Sequence, residues 1–486
     1  MNVNQNVSPN LLAKFTFLGE TLNAFKSNDS VPFNLYNSEG HLVFEKKKHL
    51  TKDDFERLLK FELHGIFILV SELNRLKEEV RGHKFNKGKI HTLDKEHIDK
   101  FSKQTNDFID QLRKEAFTSN QAILVQNSIQ DILTDFMHHP EFESGFFSIL
   151  EFLGQSELPL RSELMTKRTI VAMGMKIKAK NHLLREEANH SHAEYLSIMM
   201  AAYLADIGYA RLDINDEQPL TKVQYQTIKQ HPIISYLMTL AAREISSEVK
   251  TLILNHHRPF HGVGLNNNFP TTKSTFTKLM AVRDKYTGEA NKENIIEDIE
   301  KQLFLQQHQV MNATQDEDIA ILSLASEYAS LTTNQSWRPA YNSSQALKII
   351  VNNSFFSYNN KNIRLLLDYI GSALNHNERI INPGDFLITT SFDSENHFLF
   401  DLCMVHQVDR FQSLPILQRI GSIKPVFRKS YKYMIDNFDL SQIRMDRRRP
   451  LIDLGSQAAI SQRIIYIIDK DINPTIFETA GKLIRN

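Results

Sequence analysis

His190-Ser191-His192, Tyr203-Leu204-Ala205-Asp206-Ile207-Gly208, His231-Pro232, Asn255-His256-His257-Arg258 and Val282-Arg283-Asp284 follow one another between residues 190 and 284. Between them lie apolar runs at helical spacing, so the stretch reads as nearly all helix. A lone helical histidine is usually a surface or hydrogen-bonded core residue. A series of histidines and aspartates in one short stretch is different, because imidazole with carboxylate is a donor set for Fe, Mn or Zn.

Working outward, the segment ahead of this core is helical in pattern. Phe101, Phe108, Ile109, Leu112 and Phe117 recur at roughly helical spacing, as do Ile123, Val125, Ile129, Ile132 and Phe136. Further upstream, Leu11 to Phe25 reads as a short helix. Residues 32–36 and 41–44 alternate as strands around the turn signal Asn37-Ser38-Glu39-Gly40. Thr51 is a suitable cap for a helix that begins with Asp53 and Asp54, and Ile66–Val70 is a short apolar strand. Downstream of the core, 291–335 stays helical. Pro383-Gly384-Asp385 opens a turn into the strand-like Phe386–Thr390 and Phe398–Phe400. Arg444 and Arg447–Arg449 read as part of a solvated basic tail. Cys403 falls in an apolar strand, and Met173, Met175, Met199 and Met200 read as helix core.

The expected fold class is therefore mainly α: a helical bundle core, a small N-terminal α/β module and a small C-terminal β-containing region. The expected division is 1–75 for the module, 76–158 for a helical connector, 159–375 for the bundle and 376–486 for the remainder.

The ligand series resembles the HD-GYP family, bacterial metal-dependent phosphodiesterases of the HD superfamily that hydrolyse cyclic di-GMP. The N-terminal module loosely resembles one often found ahead of such domains. The segment from Trp337 to Leu347 resembles the helix that closes them. The resemblance implies an HD-type bundle and a role for each ligand. His190 matches the first histidine, and Asp206 matches the aspartate of the HD pair, catalytic because it bridges two metals. His231 is the next ligand, His256 and His257 are the paired histidines, and Asp284 is the last aspartate. Glu186, four residues before His190, matches a glutamate that some members use for a third metal.

Four departures accompany the match. Ala205 stands where the histidine of the HD pair belongs. Tyr209 replaces a lysine that helps with phosphate, and Arg258 replaces an acidic residue. The signature loop reads His261-Gly262-Val263-Gly264-Leu265-Asn266, without its tyrosine or proline. Arg258, Tyr209, Gly262 and Gly264 are the expected ligand-contacting positions, with Arg258 able to hold a phosphate bidentately. The resemblance so altered implies one divalent metal (Fe, Mn or Zn) on Asp206, His231, His256 and His257, with a weak or empty partner position. It implies a degenerate regulatory relative in cyclic di-GMP signalling that binds a cyclic dinucleotide or a protein partner and has impaired phosphodiesterase chemistry. An active phosphodiesterase and a metal-free scaffold remain the alternatives.

Composition bounds these readings. Lys+Arg and Asp+Glu number 57 each, so no bulk charge points to a nucleic acid polymer or a membrane surface. The single cysteine rules out a disulfide within the chain. No run approaches the roughly 20 apolar residues of a membrane span, and no signal peptide is apparent, so the cytoplasm is the expected location.

Overall fold

Asn37 folds the chain back on itself at the expected turn. Its Oδ1 accepts the backbone N–H groups of Glu39 at 3.0 Å and His41 at 2.9 Å, and Gly40 adopts φ 87°. In chain order the strands of this N-terminal part are β1 (Leu12–Phe15), β2 (Leu35–Tyr36), β3 (Leu42–Phe44) and β4 (Ile66–Leu69). They form a sheet in the order β1-β4-β2-β3, with β1 antiparallel to β4 from Leu12↔Leu69 to Phe15↔Ile66. The helix expected from Leu11 to Phe25 is thus a strand over Leu12–Phe15. A partner strand more than fifty residues downstream decides the matter, because strand formation depends on non-local pairing more than on local pattern. Thr51 and Asp54 cap each other at the expected helix start. The Thr51 N–H donates to Asp54 Oδ2 at 2.8 Å, and the Asp54 N–H reaches Thr51 Oγ1 at 3.4 Å. The body of that helix lies outside the described residues.

This computed structural model describes residues 12–15, 34–37, 39–47 and 66–69 of the N-terminal part, omitting 38. Beyond it come 95–137, 159–183, 192–212, 220–258, 270–309, 317–336, 338–353, 357–371, 379–392, 398–408, 413–423, 443–456, 462–470 and 474–485, with a few single positions elsewhere. The chain divides into two compact units, Met1–Ile90 and His91–Asn486.

The second unit is mainly helical. Its helices are α1 (Lys95–Lys114), α2 (Ser119–Met137), α3 (Leu160–Leu183), α4 (His192–Leu204), α5 (Lys222–Ile228), α6 (His231–Thr239), α7 (Ser247–Asn255), α8 (Thr272–Tyr286), α9 (Glu293–Gln309), α10 (Glu317–Leu331), α11 (Ser343–Asn353) and α12 (Asn360–Gly371). α3 is the hub. Between Leu164 and Met175 it is buried on every side, as expected of a helix enclosed by others, and α1, α4, α10 and α12 all pack on it. The ring of Tyr369 lies so close to α3 that a Cβ at Gly174 would fall 2.0 Å from its Cζ. Met173, Met175, Met199 and Met200 are all core. Of the α2 series, Val125 and Ile129 face the core while Ile123 faces solvent. α1 and α2 share one core cluster with α3 and α4.

The hub carries two buried cations, each with partners. Lys167 reaches Glu163 and the Thr332 carbonyl. Arg168 reaches Asp206 and the Ala202 carbonyl.

The C-terminal part of this unit is a sheet, β5 (Phe386–Phe392), β6 (Phe398–Gln407), β7 (Ile416–Ile423), β8 (Arg444–Met445), β9 (Leu451–Asp453) and β10 (Arg463–Ile468), followed by α13 (Pro474–Arg485). Strand order is β10-β5-β6-β7-β8, with β9 paired to β7. Successive side chains point to opposite faces. Leu387, Cys403, Val405 and Leu417 join the helical core, while Phe386, Ile388, Phe400, Leu402 and Ile420 meet Ile476, Phe477 and Ala480 of α13. Burial pushes the Cys403 thiol up to about 12, so it is inert core. The expected tail is folded, although Arg444, Arg447 and Arg448 are exposed as expected: Arg444 lies in β8, Arg449 donates to the Ile484 carbonyl at 2.9 Å, and β10 pairs with β5 beyond the basic run. Among the described residues no helix is long and apolar enough to cross a membrane.

Candidate metal centre

Four side chains converge where α4, α6 and α7 meet. The chain leaves α4 at Leu204 and turns through Ala205 and Asp206 into a 3-10 turn, Ile207–Arg211. Asp206 has φ −105° and ψ 6°, near the sparsely populated bridge region. The turn presses against α6 so closely that a Cβ on Gly208 would meet the His231 carbonyl oxygen at 2.5 Å. Gly208 N–H donates to Ser235 Oγ at 2.8 Å, which fixes the turn on the helix that bears His231. His231 is the first residue of α6, and His256 caps the C-terminus of α7 with His257 next in the chain. That helix end presents carbonyls and partial negative charge, which favours a cation.

One ligand atom from each of Asp206, His231, His256 and His257 lies within 4.8 Å of the others. His231 Nε2 is 3.1 Å from Asp206 Oδ1, His256 Nε2 is 3.5 Å from it, and the two Nε2 atoms are 3.1 Å apart. Two ligands each about 2.1 Å from one ion stand about 3.0–3.4 Å apart at octahedral to tetrahedral angles, so these spacings suit one shared ion. The other ring nitrogens are held by backbone carbonyls. His231 Nδ1 lies 2.8 Å from the Ile228 carbonyl oxygen and His256 Nδ1 lies 2.7 Å from that of Ile253. A carbonyl can only accept, so each Nδ1 donates, and the two Nε2 atoms are turned toward each other and toward Asp206 Oδ1. This is the arrangement of metal-ligating histidines.

The protonation states fit the same picture. Burial would raise the Asp206 carboxyl, but Arg168 and the imidazoles of His231 and His256 outweigh it and hold it well below the usual range. Burial pushes His256 down to about 4, and burial with the neighbouring rings pushes His257 well below its ordinary value. Both are neutral at pH 7 and available as ligands. A pH dependence follows for metal-free protein. Unfolded His256 takes up a proton near its ordinary 6.5, while the folded residue refuses it until about 4. Stability is therefore full above about 6.5 and is lost as pH falls from there toward 4, by on the order of 3 kcal/mol. Thermal unfolding followed across that window checks it; a midpoint independent of pH between 6.5 and 4 contradicts the assignment.

The remaining expected residues are placed differently. Asp284 is exposed on α8 and is engaged by the adjacent Arg283 at 2.8 Å, outside the cluster. Arg258 is buried, donating to Gln306 on α9 and to Thr272 Oγ1 on α8 at 2.8 Å, so in this structure it ties helices together. Tyr209 is half-buried and stacks on His231, ring centroids 4.4 Å apart, with the Arg161 guanidinium 3.7 Å over its ring. Glu186, His190, Gly262 and Gly264 lie outside the described residues. Ala205 is fully buried.

The sequence reading did not include Arg168. Its guanidinium is 3% exposed and lies 2.7 Å from Asp206 Oδ2, the carboxylate oxygen turned away from the histidines, while its Nε donates to the Ala202 carbonyl at 2.6 Å. A signal was present: Lys167-Arg168 runs straight into the apolar Ile170-Val171-Ala172-Met173, so a charge had to enter the core.

No protein family's sequence profile matches this chain, and no curated protein matches it. Among solved structures the chain is similar to Bd1817, a HDG"Y"P protein from Bdellovibrio bacteriovorus, at 12% identity. The match covers 74% of this chain and 99% of that one with a TM-score of 0.39, a likeness too distant to assign a family.

Proposed function

We propose that this chain is a degenerate HD-GYP-like regulatory protein whose helical unit binds one divalent metal, Fe, Mn or Zn, on Asp206, His231, His256 and His257. The observation that carries the metal is the convergence of Asp206 Oδ1 with the Nε2 atoms of His231 and His256, at spacings one ion would satisfy. Such an ion would act as a Lewis acid toward a phosphate oxygen. The chain's own groups do the rest: backbone carbonyls orient two imidazoles, α6 and its abutting turn fix the carboxylate, and Tyr209 stacks beside His231.

The order of ligands along the sequence supports a cyclic dinucleotide as the ligand class, alone or with a partner protein. Ala205 and the altered loop at Gly262–Asn266 support binding with little hydrolysis. The four-part division of the chain stands with this proposal. Metal-loaded protein is expected to turn over cyclic di-GMP far below the ordinary enzymatic range of about 1 s⁻¹ and above. Calorimetric titration with that nucleotide and a hydrolysis assay with Mn or Fe test both halves. Ordinary turnover would overturn the regulatory reading, and absence of binding would remove the nucleotide.

One observation favours a second reading, a metal-free scaffold. Arg168 already neutralises Asp206, so the buried carboxylate has a counter-charge without any ion.

A further inference from the structure

The two oxygens of Asp206 face different groups. Oδ1 points to the imidazole focus, and Oδ2 meets the Arg168 guanidinium at 2.7 Å. A carboxylate that bridges two metal ions divides its oxygens in this way, one to each ion. Here one of the two positions holds a side chain. That side chain is not free to swing aside. It is rooted in α3, the enclosed hub, is 3% exposed, and is held by the Ala202 carbonyl. Among the described residues Asp206 is the one carboxylate it pairs with, and its second terminal nitrogen is buried without a partner. A guanidinium is permanently charged, planar and compatible with a buried carboxylate.

We propose that Arg168 is a resident counter-cation for Asp206, occupying the oxygen a second metal would need, so that it limits the centre to one ion and loosens the hold on that ion. This rests on the metal-centre reading above. Two physical consequences follow. The fixed positive charge repels a dication bound to the other oxygen, all the more in a water-poor pocket. It also leaves the empty centre electrically balanced, so an ion can depart without exposing a bare buried carboxylate to the low-dielectric interior. Both favour a centre that fills and empties with metal supply over one that carries a permanently bound pair.

The test compares full-length wild type with Arg168→Gln, Arg168→Met and Arg168→Lys. Affinity for Mn²⁺ or Zn²⁺ is measured by competition with a fluorescent chelator, and ions per chain by elemental analysis. Arg168→Gln keeps a donor for Asp206 without the charge, so it carries the test even if Arg168→Met does not fold. Arg168→Gln and any folded Arg168→Met are expected to bind the first ion about tenfold or more tighter than wild type, whereas Arg168→Lys stays within about threefold. A smaller tightening in Arg168→Gln overturns the inference, as does an equal tightening in Arg168→Lys, which would show that charge is not the agent. Wild type that binds no ion defeats the metal-centre reading separately; the Arg168 inference then stands only if Arg168→Gln acquires one.

Discussion

Asp206→Ala is expected to lower the stability of the helical unit by roughly 3–5 kcal/mol, the cost of leaving one partner of a buried ion pair uncompensated. Arg168 is 3% exposed and its charged group has Asp206 as its carboxylate partner, so after the substitution a guanidinium remains in the core without its anion. The double change Arg168→Met with Asp206→Ala removes both charges and is expected to recover most of that loss, because replacing a buried pair by apolar groups is often near neutral. The measurement is the helical unfolding transition by circular dichroism for wild type, both single changes and the double. A double variant as unstable as the sum of the two singles would show that the pair is not energetically coupled.

His256→Ala is expected to weaken divalent-metal binding by about a hundredfold or more. Structural sites hold an ion with about 10–16 kcal/mol over four ligands, so one ligand contributes about 3 kcal/mol, and each 1.4 kcal/mol is tenfold. His256 is fully buried, its Nδ1 is committed to the Ile253 carbonyl, and its Nε2 stands 3.1 Å from that of His231, so no neighbouring group is placed to substitute for it. The exposed His41, paired with Glu39 in the N-terminal unit, is the control, and His41→Ala is expected to leave the affinity unchanged. Calorimetry or chelator competition with Zn²⁺ reads both. Equal affinities for wild type and His256→Ala would remove the imidazole cluster as the binding site.

Much of this architecture is legible along the chain for physical reasons. Long apolar runs mark α4 and α10, because enclosed helices leave few polar positions. The four converging side chains are legible because His231 and His256 sit at helix ends and Asp206 in the turn after α4, positions where a short chain interval dictates direction. Asp284 shows the limit. It lies mid-way along the last turns of α8, and spacing alone does not say which face of that helix is inward; the structure puts it in solvent beside Arg283. β1 shows another. Leu12–Phe15 has no local mark of a strand, and its pairing with Ile66–Leu69 exists only once the chain has folded. Arg168 was hidden by the same non-locality, since its partner is a residue of another helix's end. Arg258 was readable as a cation near the histidines, but its direction toward Gln306 and Thr272 depends on how α8 and α9 pack.

The central claim is a centre that accepts one ion, and counting ions tests it most directly. Full-length protein purified without chelator, saturated separately with Mn²⁺, Fe²⁺ and Zn²⁺ and freed of excess by gel filtration, is analysed for metal per chain. One tightly held ion per chain for at least one of these metals, lost in Asp206→Ala and in His256→Ala, is the expected result. No retained ion with any of the three contradicts the metal centre and leaves the Arg168-neutralised scaffold; two ions per wild-type chain contradict the place assigned to Arg168.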